Sequence, residues 1–270
     1  MSVTISASLV KELRELTGAG MMDCKRALEE TRGDLEAARR LLRERGMASA
    51  GKRAGRETTE GWVAFRIDGA VGAIVGVGCE TEPVSRNDEF RAFVERVLEV
   101  VLEEGPAAVE RLEEERLEVI GKLGENVVVA GAERFDVPAG HTLAAYVHPP
   151  AERIGVLVEL RGGTTELARQ VAMHVAFAAP EWRTREEVPA EVLERERSIF
   201  ANSDEVRSKP EAARAKIVDG MLAKRFFAAT PGGVLVDQAW IHDASRTVGE
   251  ALAEAGASVE RFARVSVAGS

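Results

Sequence analysis

Trp62-Val-Ala-Phe-Arg-Ile67, Asp68-Gly69 and Gly72-Ala-Ile-Val-Gly-Val-Gly-Cys79 are the stretch on which the fold turns. Two runs rich in β-branched and aromatic residues flank a dipeptide suited to a hairpin turn, so the stretch predicts paired antiparallel strands. A helix is expected next, from about Asn87 to Glu103. The same order returns further on. Thr142 to His148 reads as a strand, Pro149-Pro150 as a turn, Ile154 to Leu160 as a strand and Thr165 to Ala178 as a helix. Gly72-Ala-Ile-Val-Gly-Val and Gly155-Val-Leu-Val-Glu-Leu occupy matching places. Two strand–strand–helix units side by side predict an α+β fold with a duplicated core and an antiparallel sheet in each half.

Working outward, residues 1 to about 50 read as three short helices. Leu9, Val10, Leu13 and Leu16 recur at helical spacing before Thr17-Gly18-Ala19-Gly20 stops the first. Met22, Ala27 and Leu28 are expected inward on the second. Gly33-Asp34 opens the third, with Leu35, Ala38, Leu41 and Leu42 as its stripe. From Gly46 to Arg56 the composition turns to Gly, Ala, Lys and Arg, which suits a tether. Pro106 to Ile120 reads as an acidic helix between the units. Pro189 to Asn202 and Pro210 to Ala228 read as a protruding helical hairpin with charge on most faces. Val234 to His242 is expected as a strand, Ser245 to Ala255 as a capped helix, and Phe262 to Val267 as a strand completing the core. The expected domains are therefore 1–56 (three-helix module and linker), 57–140 and 141–185 (the core halves), 186–228 (hairpin) and 229–270 (the segment completing the second half).

Composition excludes several classes. A net charge of −9 argues against a general nucleic-acid binder. Met1 to Ser6 runs on to Lys11, Glu12 and Arg14 without an apolar stretch, so no signal peptide is expected. Ala70 to Gly78, the longest nearly apolar run, is too short to span a bilayer. Cys24 and Cys79 form no CxxC and read as reduced thiols of a cytoplasmic protein. A dinucleotide fingerprint starting at Gly76-Val77-Gly78 fails at Thr81, and no GxxxxGK[ST] occurs. His141, His148, His174 and His242 have no metal-site spacing, and no GxSxG appears. No cofactor, metal or catalytic residue is expected.

Leu9-Val-Lys-Glu-Leu-Arg-Glu-Leu-Thr17-Gly-Ala-Gly20-Met-Met-Asp-Cys24-Lys-Arg-Ala-Leu28 closely resembles the N-terminal signature of the bacterial elongation factor Ts family. Cys79-Glu-Thr81 with Arg86-Asn-Asp-Glu-Phe90 resembles its second signature. Gly124-Glu125-Asn126, Arg153-Ile-Gly-Val-Leu-Val158, Ala172-Met-His174-Val-Ala176 and a tail with Gln238, Ile241 and Thr247-Val-Gly249 also match. The resemblance implies a translation factor that is not an enzyme, a guanine-nucleotide exchange factor binding elongation factor Tu. It leaves one-to-one assembly and a dimer of such pairs both open.

The resemblance also assigns positions. Arg14, Met21 and Met22 match residues docking on a helix of the partner's nucleotide domain; filling the small helical core is the alternative for both methionines. Thr81-Glu82-Pro83-Val84 matches the family's Thr-Asp-Phe-Val loop, associated with displacing magnesium. Here Glu82 carries its carboxylate one methylene further out, and Pro83 replaces a large aromatic and removes a backbone N–H. Leu123 and Gly124 match a turn near the partner's phosphate-binding loop, and His148 a residue pressing on the same region, or else a plain turn residue. Ile241 and His242 match tail contacts to another domain, against the alternative of an ordinary edge strand. From a different class comes a second expectation. The three-helix module alone is UBA-like, which would make the chain a general adaptor for ubiquitin-like folds or nascent chains.

Overall fold

The computed structural model describes residues 5–53 and 55–267, the side chains of 47–52 excepted. Met1–Thr4 of the expected first module, Ala54 of the expected tether and residues 268–270 of the tail lie outside the described residues. The N-terminal module comprises α1 (Ala7–Thr17), α2 (Met21–Glu30) and α3 (Leu35–Arg53). Its core is Val10, Leu13, Cys24, Ala27, Leu28 and Ala38. Met22 corrects the expectation, for it is 62% exposed. Cys24, Ala27 and Leu28 form the inward stripe at helical spacing, and Met22, two residues ahead of Cys24, is carried to the opposite side. The stretch expected as a tether is helical as far as Arg53, because α3 does not stop at Gly46.

The first core unit holds β1 (Glu60–Asp68), β2 (Val71–Cys79), the one-turn α4 (Glu82–Ser85) and α5 (Asp88–Glu104). Asn87 caps α5 by accepting the Glu89 N–H at 2.8 Å. The expected acidic helix is broken in two: Pro106–Leu112 winds as a 3₁₀ helix, and α6 (Glu113–Leu123) follows. β3 (Val128–Asp136) then pairs antiparallel with β2. That strand was not expected, since its Ala, Gly, Glu and Arg residues show no clean alternation. The second unit holds β4 (His141–Val147), β5 (Ile154–Arg161) and α7 (Thr165–Ala178). α8 (Ala190–Ala201), α9 (Asp204–Arg207) and α10 (Glu211–Met221) form the hairpin region around Leu193, Phe200, Val206 and Val218. A wider π turn, Leu222–Phe227, ends it. The tail gives β6 (Ala239–Trp240), β7 (Asp243–Thr247), α11 (Val248–Glu254) and β8 (Ser258–Ser266), and β8 pairs with β5. Val234–His242 is not one strand. Leu235–Asp237 turns as a 3₁₀ helix because Leu235 is buried in the second core and Asp237 pairs with Arg185. Ser245 lies in β7, and α11 starts only where Thr247 and Glu250 form a capping box.

Two three-stranded sheets, ordered β1-β2-β3 and β4-β5-β8, form the core, and β6 and β7 make a separate two-stranded pair. α5 and α6 cover the outer face of the first, and α7 and α11 that of the second. Between the sheets lie Val63, Ile74, Phe135, Leu143, Leu157 and Val265. β2 shows how the sequence achieves this. Ala73, Val75, Val77 and Cys79 point at α5, while Gly72, Ile74 and Gly76 point at the other sheet. A Cβ on Gly76 would sit 2.5 Å from Val265 Cγ1, one on Gly72 2.6 Å from Leu143 Cδ2, and one on Gly155 2.6 Å from Val63 Cγ1. Among the described residues no helix is long and apolar enough to cross a membrane.

Gly76→Ala is therefore expected to cost about 1–3 kcal/mol by overpacking the inter-sheet layer. Gly220, helical and with nothing within 4 Å of its Cβ position, is the control. Gly220→Ala should instead gain about 0.5–1 kcal/mol. Urea unfolding of both variants against wild type checks the opposite signs.

Candidate functional site

Thr81 to Val84 follow the C-terminal end of β2, the central strand of its sheet. Thr81 has extended backbone and starts α4, with Glu82 and Pro83 in its first turn. The N–H groups there have no helical partner in any case, so Pro83 sacrifices no hydrogen bond. The loop is held by one side chain from the next turn over. Glu125 accepts from Thr81 Oγ1 at 2.5 Å, from the Thr81 N–H at 3.0 Å and from the Glu80 N–H at 3.1 Å. Glu80 answers by accepting the Asn126 N–H at 2.7 Å, and Asn126 Nδ2 donates to the Arg56 carbonyl at 2.8 Å. Leu123 and Gly124 are thereby brought beside the loop; Gly124 ends α6 in the left-handed region, at φ 76°. Thr81, Glu82 and Pro83 are exposed, Val84 packs on the first core, and Arg86 pairs with Glu82 at 2.5 Å. Beneath them Cys79 donates to the Thr81 carbonyl at 3.4 Å. Burial, reinforced by the Glu125 charge, pushes its thiol up to about 12, so Cys79 is a structural donor and not a nucleophile.

The other expected residues connect to this loop through a series of contacts. Lys122 on α6 pairs with Glu89 at 2.9 Å and lies against Gly18 of the N-terminal module. Three residues past Gly18, Met21 is 57% exposed, and Met22, Leu16 and Arg14 are exposed as well. On the opposite side, Arg91 donates to the Ser85 carbonyl, stacks over Trp62 and pairs with Glu152 at 3.4 Å. A cleft of about 180 Å³ opens there between Glu82, Arg86, Trp62 and Pro150 to Arg153. His148 is exposed in the same β4–β5 turn, its Nδ1 2.9 Å from the Tyr146 hydroxyl. Ile241 and His242 lie elsewhere, over α7: His242 Nε2 is 3.1 Å from the Gln170 carbonyl, and the Ile241 N–H reaches His174 Nδ1 at 3.4 Å.

Against this geometry, sequence comparisons are informative. A family profile described as Elongation factor TS matches residues 80–269. The elongation factor Ts of Thioalkalivibrio sulfidiphilus is 45% identical, with 98% of this chain and 92% of that protein aligned. That of Alkalilimnicola ehrlichii is 44% identical with the same coverage, and that of an Arthrobacter species 41% identical, covering 97% of this chain and 98% of its own. The chain belongs to the elongation factor Ts family.

Membership gives it the role of a translation elongation factor. The adaptor expectation drew on the three-helix module alone, whereas likeness to elongation factor Ts runs through the duplicated core as well. Two groups that hold the candidate residues in place were not singled out from sequence. Glu125 appeared only inside the Gly124-Glu125-Asn126 match, and what it clamps lies 44 residues earlier in the chain. His174 is the second. It is fully buried, stacks on Trp240 and meets Gln238 Oε1 at 2.9 Å through Nε2. Nδ1 accepts from Ile241, so Nε2 carries the proton, and Gln238 in turn donates to the carbonyls of Ala229 and Gly232. An isolated apolar-face histidine pattern at residue 174 was the available signal.

Burial lowers His174 below the ordinary imidazole value of 6.5, with the neighbouring His242 acting in the same direction. As pH drops below that value the unfolded chain binds a proton that the folded His174 refuses, so stability falls until the folded value is passed. Urea midpoints measured between about pH 7.5 and 5.5 should decline more steeply for wild type than for His174→Gln. Equal slopes would mean that His174 takes up its proton at the same pH in the folded and the unfolded chain.

Proposed function

We propose that this chain is a guanine-nucleotide exchange factor for elongation factor Tu, working by binding alone and not as an enzyme. The observation that carries the proposal is the Thr81–Val84 turn, exposed at Thr81, Glu82 and Pro83 and clamped by Glu125 beside Gly124. A loop meant to disturb another protein's ligand has to be presented to solvent and rigid enough not to yield on contact. Both conditions are met here by hydrogen bonds that reach across the chain.

The physical logic is linkage. A protein that binds the nucleotide-free partner better than the GDP-loaded one weakens GDP by the same factor. A thousandfold weakening takes about 4 kcal/mol of differential binding. The GDP is held through its phosphates and the partner's magnesium, so those contacts are the efficient target. A carboxylate delivered beside that magnesium, the role given to Glu82, offers the cation another oxygen ligand and repels the phosphates. Leu123, Gly124 and His148 are assigned to the surface around the phosphate-binding loop. Arg14, Met21 and Met22 are assigned to the nucleotide domain, where exposed methionines make adaptable apolar contacts. Ile241 and His242 are assigned to a separate domain of the partner. The cytoplasm is the compartment this reading requires.

Fluorescent GDP released from elongation factor Tu of the same source, followed as this protein is titrated in, tests the proposal. Release should accelerate with concentration. Pro83→Phe adds about 1–2 kcal/mol of apolar contact at the loop tip, and release should then run about tenfold faster at equal concentration. Binding without any acceleration by wild type would sink the exchange reading.

A further inference from the structure

Glycine is the poorest helix former after proline, so a glycine inside a helix calls for a reason. Gly46 in α3 and Gly121 in α6 supply each other's. A Cβ on Gly121 would lie 3.2 Å from the Gly46 Cα, and one on Gly46 3.7 Å from the Gly121 Cα. The two helices therefore cross backbone to backbone at these residues. One turn away, Arg43 of α3 pairs with Glu114 and, at 3.4 Å, with Glu118. Glu114, Glu118 and Gly121 recur at i, i+4 and i+7, so they line a single face of α6. Near the end of the same helix, the Lys122 stem lies against Gly18 while its ammonium pairs with Glu89. The next turn is Gly124-Glu125, whose carboxylate clamps Thr81.

We propose that α6 is a positioning beam, with Arg43, Gly46 and Gly121 as the residues that dock the N-terminal module on it in one orientation. The inference rests on the exchange reading and deepens it. Met21 and Met22, which follow the Gly18 that lies against Lys122, and Thr81–Val84, clamped by Glu125, meet at the C-terminal end of the beam and are presented to elongation factor Tu as one preformed surface. A module on a loose tether would find its half of the interface only by search, and its contribution would be reduced accordingly. The close crossing offsets the helix-forming cost of Gly121, because a Cβ there would press on the Gly46 Cα at 3.2 Å. Pairing of Arg43 with Glu114 and Glu118 selects the crossing and makes it sensitive to salt.

Nitroxides on the full chain at Ser8→Cys and Glu110→Cys report the orientation directly, since both positions are exposed and both native cysteines are buried. Wild type should give a narrow distance distribution and Gly121→Leu a broad one. The core of Gly121→Leu should still fold, leucine being the better helix former. In the GDP-release assay, Gly121→Leu should raise the half-saturating concentration about tenfold and leave the saturating rate unchanged. Arg43→Glu should do the same more weakly, and adding Glu114→Arg with Glu118→Arg should restore it. A narrow distribution in Gly121→Leu, or a broad one in wild type, overturns the docking. A broad distribution with unaltered half-saturation overturns the positioning role and leaves the exchange reading standing. If wild type does not accelerate GDP release from elongation factor Tu, the exchange reading falls and takes the positioning role with it, while the spin-label distances still decide the docking.

Discussion

The close stacking of the two sheets is the constraint from which the rest of the architecture follows. Side chains at Gly72, Gly76 and Gly155 would occupy the space that Leu143, Val265 and Val63 fill. With those positions bare, the sheets approach closely enough for Ile74, Leu157 and Val265 to make one continuous apolar layer. The helices are then relegated to the outer faces, where α5 and α7 each complete a separate core. Hydrogen bonds pin the edges of the stack. Val63 donates to the Glu152 carbonyl at 2.7 Å, and Arg153 reaches Glu60 at 2.6 Å. Further along the layer, Arg261 lies over the Phe135 ring and donates to the Asp136 carbonyl and to the buried Glu159. All but the Arg261–Glu159 contact, which is made within the second sheet, join residues of different halves.

Because the halves are locked, loops from distant parts of the chain keep a constant relation. The Thr81 turn ends a strand of the first sheet, and the His148 turn joins two strands of the second. Arg91 spans the gap between them from Ser85 to Glu152. Glu125 fixes the Thr81 turn to the end of α6, and α6 carries the N-terminal module. A binding surface built in this way loses little conformational entropy on association, because its loops are already ordered by the scaffold beneath them. The same economy explains a buried, protonated Cys79: a weak donor under the loop is tolerated where a charged group would not be.

How much was legible beforehand depended on the range of the forces involved. The hairpin Trp62–Cys79 and the helix capped by Asn87 were readable because strand alternation, turn chemistry and capping act over a few residues. Met22 was misplaced for the opposite reason: a short helix with several apolar residues admits more than one inward stripe, and only Leu13 and Ala38 opposite it select Cys24 and Ala27. β3 was invisible because a strand of Ala, Gly, Glu and Arg owes its state to the β2 edge it completes. The stretch after Gly46 looks like a tether by composition and is helical to Arg53 in the fold, where α3 meets α6.

By itself, the sequence determined the family, the α+β class, the duplication and the positions of the Thr81, Gly124 and His148 turns. Those properties are written in local pattern and in long contiguous signatures. Only the tertiary structure decided that Glu125 holds the loop, that His174 and Gln238 hold the tail, and that Gly46 meets Gly121. These are contacts between residues 44, 64 and 75 positions apart in the chain, made by single polar groups or by missing side chains. No periodicity marks such pairs, since a hydrogen bond or a close backbone crossing depends on where the packed layers bring the chain together.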